Sequence, residues 1–445
     1  MNQDEFPSTR FQRGKIFAKT GLNVGSGYVK ELIRKSVDAE ADTSEIRKET
    51  AGKVFQDFTK LRGTALKLAQ TMSLDQSFLP EEFTDIMAKA QYSVPPINKA
   101  LIRSILKKEL GGTPEYLFSS FDENALAAAS IGQVHRATLK DGRDVVVKVQ
   151  YPGVRDSIDS DLALARSLFK RIVKKGSTLD PYFTEVRNTL LMETDYLHEG
   201  VEMERFHARF TSDKIVTPRW IREFSTSRVL TMTYIEGEHL QDFLSRNPSQ
   251  KERDHFGQLL WDFFHDQIHD NREIHADTHP GNFLFTPDGR LGVLDFGCVK
   301  VFPEEFFQHY LALLPSHMEK NEEEILELYR WLGVITGDPT QDEVERNYLE
   351  FSMKYGYAFV EPYEVDVFDF GTPEYIQKLK DYTRDAPFTN EPRGNENFIY
   401  STRVHIGLYH MLMKMKARVN TTQSREIVMK SIYSDLINAD PAGSF

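Results

Sequence analysis

His275-Ala276-Asp277-Thr278-His279-Pro280-Gly281-Asn282, followed one short hairpin later by Leu294-Asp295-Phe296-Gly297, is the most informative part of this 445-residue chain. Asp277 precedes Asn282 by five positions, and Asn282 precedes Asp295 by 13. Between them, Phe283–Phe285 and Leu291–Leu294 read as strands around the turn Pro287-Asp288-Gly289. This is the pattern of a phosphoryl-transfer catalytic loop. One Asp (Asp277) sits near the attacking oxygen, an Asn (Asn282) binds Mg²⁺, and a second Asp (Asp295) bridges Mg²⁺ to nucleotide phosphates. Asp-Phe-Gly alone is an ordinary turn; the spacing to Asn282 and Asp277 gives it meaning. A competing reading makes His275, Asp277 and His279 zinc ligands on one strand face. It leaves Pro-Gly-Asn and Asp-Phe-Gly without a role.

Upstream, Gln133–Leu139 and Arg143–Gln150 read as two strands joined by Asp141-Gly142, a strong hairpin signal. The second strand holds one lysine, Lys148, inside Val-Val-Val-Lys-Val. A buried ammonium is costly unless paired, so an acid must meet it. A helix predicted over Pro181–Arg209 supplies candidates: Asp195 and Glu199 share a face at 100° per residue, and Glu193 points elsewhere. Before the hairpin lies a small-residue loop, Ala127-Ala128-Ala129-Ser130-Ile131-Gly132, placed to cover phosphates. Three alanines there restrict φ where glycines would not.

The remaining chain gives the architecture. Residues 10–110 read as mostly helical, with an apolar face in Ala51–Leu68, a helix start at Leu79-Pro80-Glu81, a break at Val94-Pro95-Pro96, and a stop at Gly111-Gly112. A helix over Ser157–Lys174, a strand over Arg228–Ile235 and an apolar-rich helix over 250–271 follow, and 303–440 look helical with loops near 336–342 and 385–397. The fold class is α+β, two-lobed, with a cleft between a small-sheet lobe and a mostly helical one.

Composition narrows the function. Lys and Arg number 55 against 67 Asp and Glu, a net charge of −12, which argues against a nucleic-acid-binding surface. A single cysteine, Cys298, excludes an intramolecular disulfide and a multi-cysteine zinc site. No run approaches the roughly 20 apolar residues of a membrane span, and the acidic start does not read as a secretory signal. A cytoplasmic or membrane-peripheral protein is expected. Charge is uneven: residues 1–35 carry seven basic against three acidic side chains, and 319–350 carry three against ten. The basic start could meet an anionic membrane.

Together these segments resemble the UbiB/AarF family of atypical kinase-like proteins, over about residues 50–300. Ala127–His135 is similar to its Ala-rich loop, Val147-Lys148-Val149-Gln150 to its nucleotide-lysine strand, and Glu193-Thr194-Asp195 to its ExD motif. His275–Asn282 and Asp295-Phe296-Gly297 are similar to its catalytic and metal loops, and Leu66-Lys67-Leu68-Ala69-Gln70 to its KxGQ motif. Ala69 departs from the motif glycine, and Thr278 from a usual proline.

The resemblance implies an atypical protein-kinase-like fold. Residues 1–110 would form a helical extension over the cleft, 111–236 the N-lobe with a small antiparallel sheet, and 237–445 the helical C-lobe. It implies ATP (or ADP) with Mg²⁺, and a kinase or ATPase acting in ubiquinone (prenylquinone) or lipid metabolism, with prenyl-lipid or quinone-pathway molecules and quinone-biosynthesis proteins as partners. Lys67 and Gln70 would lie in the active site beside Glu193 and Asp195, with Glu199 as the partner of Lys148. Ala127, Ala128, Ala129, Ser130, Ile131, Lys148, Met232 and Tyr234 complete the nucleotide-binding set. No long activation segment and no Ala-Pro-Glu follow Gly297, so a general protein kinase is not expected. Two alternatives remain: a nucleotide-switched pseudokinase-like scaffold, and a small-molecule phosphotransferase of the aminoglycoside- or choline-kinase type.

Overall fold

The structure is a computed structural model that describes residues 10–37, 42–61, 64, 98–128, 131–169, 180–271, 273–275, 277–384 and 393–429. The chain divides into two compact units, one of Met1–Ala208 with Pro218–Tyr234, the other of Arg209–Thr217 with Ile235–Phe445. The N-terminal helices therefore fall in the same unit as the small sheet.

The first unit is organised by an antiparallel sheet. Its strands are β1 (Ser120–Phe121), β2 (Ala127–Ala128), β3 (Gly132–Thr138), β4 (Asp144–Gln150) and, beyond a short β5 (Ile215–Val216) of the other unit, β6 (Val229–Thr233). The order is β1-β3-β4-β6, with β2 also on β3. The Asp141-Gly142 turn joins β3 to β4 as its sequence predicts, with Gly142 at a φ of +90°. Strand β4 is central, and Val145, Val147 and Val149 are fully buried. Helix Lys99–Leu110 ends on Gly111 at a φ of +77°, the left-handed cap that the Gly-Gly pair implies.

Two expectations need correction. The helix expected over Pro181–Arg209 is two helices, Asp180–Glu193 and Tyr196–Phe210. Asp195 breaks it: its Oδ1 accepts from the Leu197 and His198 amides at 3.2 and 3.4 Å, capping the second helix rather than sharing a face with Glu199. Region 303–440, expected to hold only helices and loops, also contains strands. β11 (Val367–Asp369) and β12 (Arg418–Asn420) form an antiparallel pair too short for periodicity to reveal.

In the second unit, β7 (Glu273–His275) pairs with β10 (Val299–Val301), and β8 (Phe283–Phe285) with β9 (Leu291–Val293). β5 joins β9 in parallel. Helix Gln250–Asn271 carries Trp261, Phe264 and His265 into an aromatic core with Tyr363 and Tyr409, and helix Glu396–Met415 buries Val404, Leu408 and Leu412. No helix among the described residues is long and apolar enough to cross a membrane.

The N-terminal helix Arg10–Val37 is tied to its unit by a buried charge pair. Arg13 donates to both oxygens of Asp161, on helix Val154–Phe169, at 2.8 and 2.5 Å, and to the Leu61 carbonyl at 2.8 Å. Both side chains are below 5% exposed. Removing one partner of a buried pair costs about 3–5 kcal/mol. Asp161→Asn is therefore expected to lower the melting temperature sharply, and Arg13→Met with Asp161→Leu to recover most of the loss, measured by calorimetry. An unchanged melting temperature in the single variant would contradict this anchoring.

Candidate functional site

In the first unit the site is built around Lys148. Strand β4 places it opposite Val134 of β3 and Leu230 of β6, so it is an interior lysine and not an edge one. Its Nζ donates to both oxygens of Glu199 at 2.8 and 3.0 Å, and it lies 5.1 Å from the centre of the Tyr196 ring. Lys148 is 8% exposed and Glu199 1%, so each satisfies a charge the other could not leave buried alone. Two further residues hold this arrangement. Gln150 donates from Nε2 to the Thr194 carbonyl at 3.1 Å, fixing the chain where the two helices part. Tyr196, fully buried, follows at the start of the second helix. The pairing of Gly132 with this tyrosine is close: a Cβ on Gly132 would lie 2.5 Å from the Val149 carbonyl oxygen and 2.9 Å from the Tyr196 hydroxyl.

The other first-unit candidates are distributed around this pair. Glu193 ends the first of the two helices and Asp195 caps the second; both are half-buried. Ala127 and Ala128 are not loop residues but form β2, opposite Val134 and Gln133. Ile131 is buried and accepts from the Tyr151 amide at 2.8 Å. Met232 is buried on β6 opposite Val146. Tyr234 follows β6, with its amide on the Asp144 carbonyl at 3.0 Å and the Arg136 guanidinium 4.1 Å from its ring centre. Lys67, Ala69, Gln70, Ala129 and Ser130 lie outside the described residues.

The second unit brings Asp277, Asn282 and Asp295 to one end of a hairpin. Asn282 immediately precedes β8, Asp295 follows β9 after one intervening residue, Leu294, and the Leu294 amide donates to the Asn282 carbonyl at 2.8 Å. Asn282 donates from Nδ2 to the Asp277 carbonyl at 3.0 Å, which leaves Oδ1 as its side-chain acceptor. Asp277 receives the His279 amide on Oδ1 at 3.2 Å. Asp295 adopts a φ of +60°, unusual for a residue with a side chain, and accepts the Gly297 amide at 3.2 Å. An amide oxygen and a carboxylate suit a hard, oxygen-seeking cation that keeps several waters.

His275 organises this end of the hairpin, a role sequence reasoning missed. It is buried, its amide donates to Gln267 Oε1 at 2.6 Å, and its Nε2 meets the carbonyls of Leu294 and Asp295 at 3.1 and 2.6 Å. The pairing of His275 with Val299 fixes the backbone on the other side of Asp-Phe-Gly. The zinc reading loses its basis here. His275 is committed to backbone carbonyls, His279 Nδ1 accepts the Gly281 amide at 3.0 Å, and the described residues contain no cluster of three His, Cys, Asp or Glu suited to a metal.

Comparison with known proteins identifies the family. The profile of the ABC1 atypical kinase-like domain matches residues 89–329. The atypical kinase COQ8, mitochondrial, of Saccharomyces cerevisiae is 30% identical, across 91% of this chain and 79% of its own length. A probable serine/threonine-protein kinase, abkA, of Dictyostelium discoideum is 28% identical across 94% of this chain and 79% of its own. The solved structure of Rv3197 from Mycobacterium tuberculosis, in complex with erythromycin, superposes with a TM-score of 0.58 at 26% identity, covering 88% of this chain and 97% of the other. The chain belongs to the ABC1 (UbiB/AarF) family of atypical kinases and has its two-lobed α+β kinase-like fold.

Proposed function

We propose that this protein binds Mg-ATP and uses it as an ATPase or phosphotransferase in ubiquinone (prenylquinone) or lipid metabolism. One observation carries the reading: Asn282 and Asp295 stand at the same end of a paired hairpin, with Asn282 turned by the Asp277 carbonyl so that an oxygen remains for a cation. In this reading Asn282 and Asp295 hold Mg²⁺, which would neutralise charge on the phosphates. Asp277 orients the attacking oxygen. Lys148, fixed by Glu199, contacts the phosphates. Ala127–Ile131, Met232 and Tyr234 border the nucleotide, and Lys67 and Gln70 act with Glu193 and Asp195 at the acceptor side. The kinase names of the relatives support nucleotide use, and the resemblance of the motifs to the UbiB/AarF family suggests the quinone pathway.

Phosphate release from Mg-ATP tests this. The wild-type chain is expected to turn over, and Asp295→Asn to reduce kcat about 100-fold or more. Removal of Mg²⁺ with EDTA is expected to abolish release. Nucleotide at 100 times its Kd should stabilise the protein by about 2.7 kcal/mol, visible as a raised melting temperature. Turnover that survives Asp295→Asn, or no thermal response to millimolar Mg-nucleotide, would count against the reading.

The N-terminal helix adds a membrane-peripheral component to the proposal. Leu22, Val29 and Ile33 lie within about 40° of one another on Arg10–Val37 at 100° per residue, and each is more than half exposed. Lys19 and Lys30 are also exposed. An apolar stripe beside cations suits an anionic bilayer surface. Leu22→Glu with Val29→Glu is expected to lower co-sedimentation with anionic liposomes at least severalfold without lowering the melting temperature. Undiminished binding would remove this part of the proposal.

A further inference from the structure

Helix Glu396–Met415 lies beyond residues 89–329, the part matched by the kinase-like domain, yet it touches the catalytic loop of its unit and the strand that follows the metal loop. At its first turn, Lys300 of β10 donates to Glu396 at 3.0 Å and lies 5.1 Å from the centre of the Tyr400 ring. Lys300 follows Asp295-Phe296-Gly297 by three residues, so this contact holds the strand on which the metal loop ends. Further along, Gly407 meets the catalytic loop: a Cβ placed there would lie 2.1 Å from Thr278 Oγ1 and 2.9 Å from Thr278 Cβ.

A glycine inside a helix weakens it relative to alanine, so its presence calls for a reason. Other helical glycines of this unit also mark close approaches. A Cβ on Gly257 would meet Ala417 at 2.4 Å, and one on Gly356 would meet His317 at 2.1 Å. Those contacts join one structural element to another. The Gly407 contact instead receives Thr278, the residue directly after Asp277, whose carbonyl in turn orients Asn282. A displacement of Thr278 would be passed to both.

Resting on the functional reading above, we propose that Gly407 is a positioning residue for catalysis. It forms a notch in the C-terminal helix that seats Thr278 and so sets Asp277 and Asn282. The helix is then a strut for the catalytic centre and not only a covering of the core. It acts on the reaction through Thr278 and touches no reacting atom.

A double-mutant cycle tests this. Gly407→Ala is expected to lower kcat about 10- to 100-fold, the scale of a loop misplaced by roughly 1 Å, with the nucleotide KM changed far less. It should also weaken Mn²⁺ binding, read by electron paramagnetic resonance with a non-hydrolysable nucleotide. With Thr278→Ala already in place, the same Gly407→Ala change should cost severalfold less in kcat, Mn²⁺ affinity and melting temperature. Equal losses in both backgrounds, or a folded Gly407→Ala protein with wild-type kcat and Mn²⁺ affinity, would overturn the proposal. If Gly407→Ala does not fold, Thr278→Val, which puts a methyl group in the notch, should lower kcat, and Thr278→Ser, which keeps the hydroxyl, should restore most of it. Equal activity of that pair would also overturn it. A wild-type chain that neither hydrolyses ATP nor binds Mn²⁺ would end the functional reading, and the positioning role with it. The coupling in melting temperature would survive that result, so the two failures are distinguishable.

Discussion

The imidazole of His275 is shared between the carbonyl oxygens of Leu294 and Asp295, at 3.1 and 2.6 Å, in a position only 1% exposed. Carbonyls only accept, so the ring must carry its proton on Nε2. The second functional loop depends on this bond. Asp295 sits at a φ of +60°, and holding a non-glycine residue there costs about 1–3 kcal/mol unless its surroundings over-determine it. They do: His275 holds its carbonyl, Phe296 is fully buried, the Gly297 amide returns to its carboxylate, and β7 pairs with β10 just beyond. The carboxylate therefore points where the backbone directs it, and the rotamer alone does not decide. Gln267 extends the chain one step further by fixing the amide of His275 itself.

A similar logic governs Lys148 in the first unit. An ammonium within a valine-rich central strand can persist only with its charge answered, and Glu199 answers it with both oxygens. Glu199 in turn depends on where its helix begins. Asp195 caps that helix and Gln150 holds the preceding carbonyl, so strand β4 supplies both the lysine and the group that places its partner. The ExD segment thus has a structural duty in addition to the acceptor-side role proposed for it.

How much of this was legible in the sequence depended on the range of the interaction. The β3–β4 hairpin was readable because Asp141-Gly142 encodes its turn locally, and the Asp277, Asn282 and Asp295 cluster because its spacing spans one hairpin. The end of helix Lys99–Leu110 was readable from Gly111-Gly112. The break at Asp195 was not, because the apolar pattern continues through it and only a capping bond reveals it. The β11–β12 pair joins residues some 50 positions apart with three-residue strands, too short for alternation to register. His275 stood inside the quoted motif, but its role requires knowing that β7 lies beside β10. Gly407 carried no local signal, because its neighbour Thr278 is 129 residues earlier in the chain.

Strand β5 has a consequence for how this molecule can be made. It belongs to the second unit and pairs with β9, yet Pro218–Tyr234, encoded after it, returns to the first. No single cut separates the two units. During synthesis β5 leaves the ribosome some 75 residues before its partner β9, and β6, which completes the first sheet, emerges in between. The first unit can thus close its sheet while a piece of the second waits unpaired. A gene split at residue 235 would give one fragment with an orphan strand and another with an open sheet edge, so complementation between such halves should require both to be present as they fold.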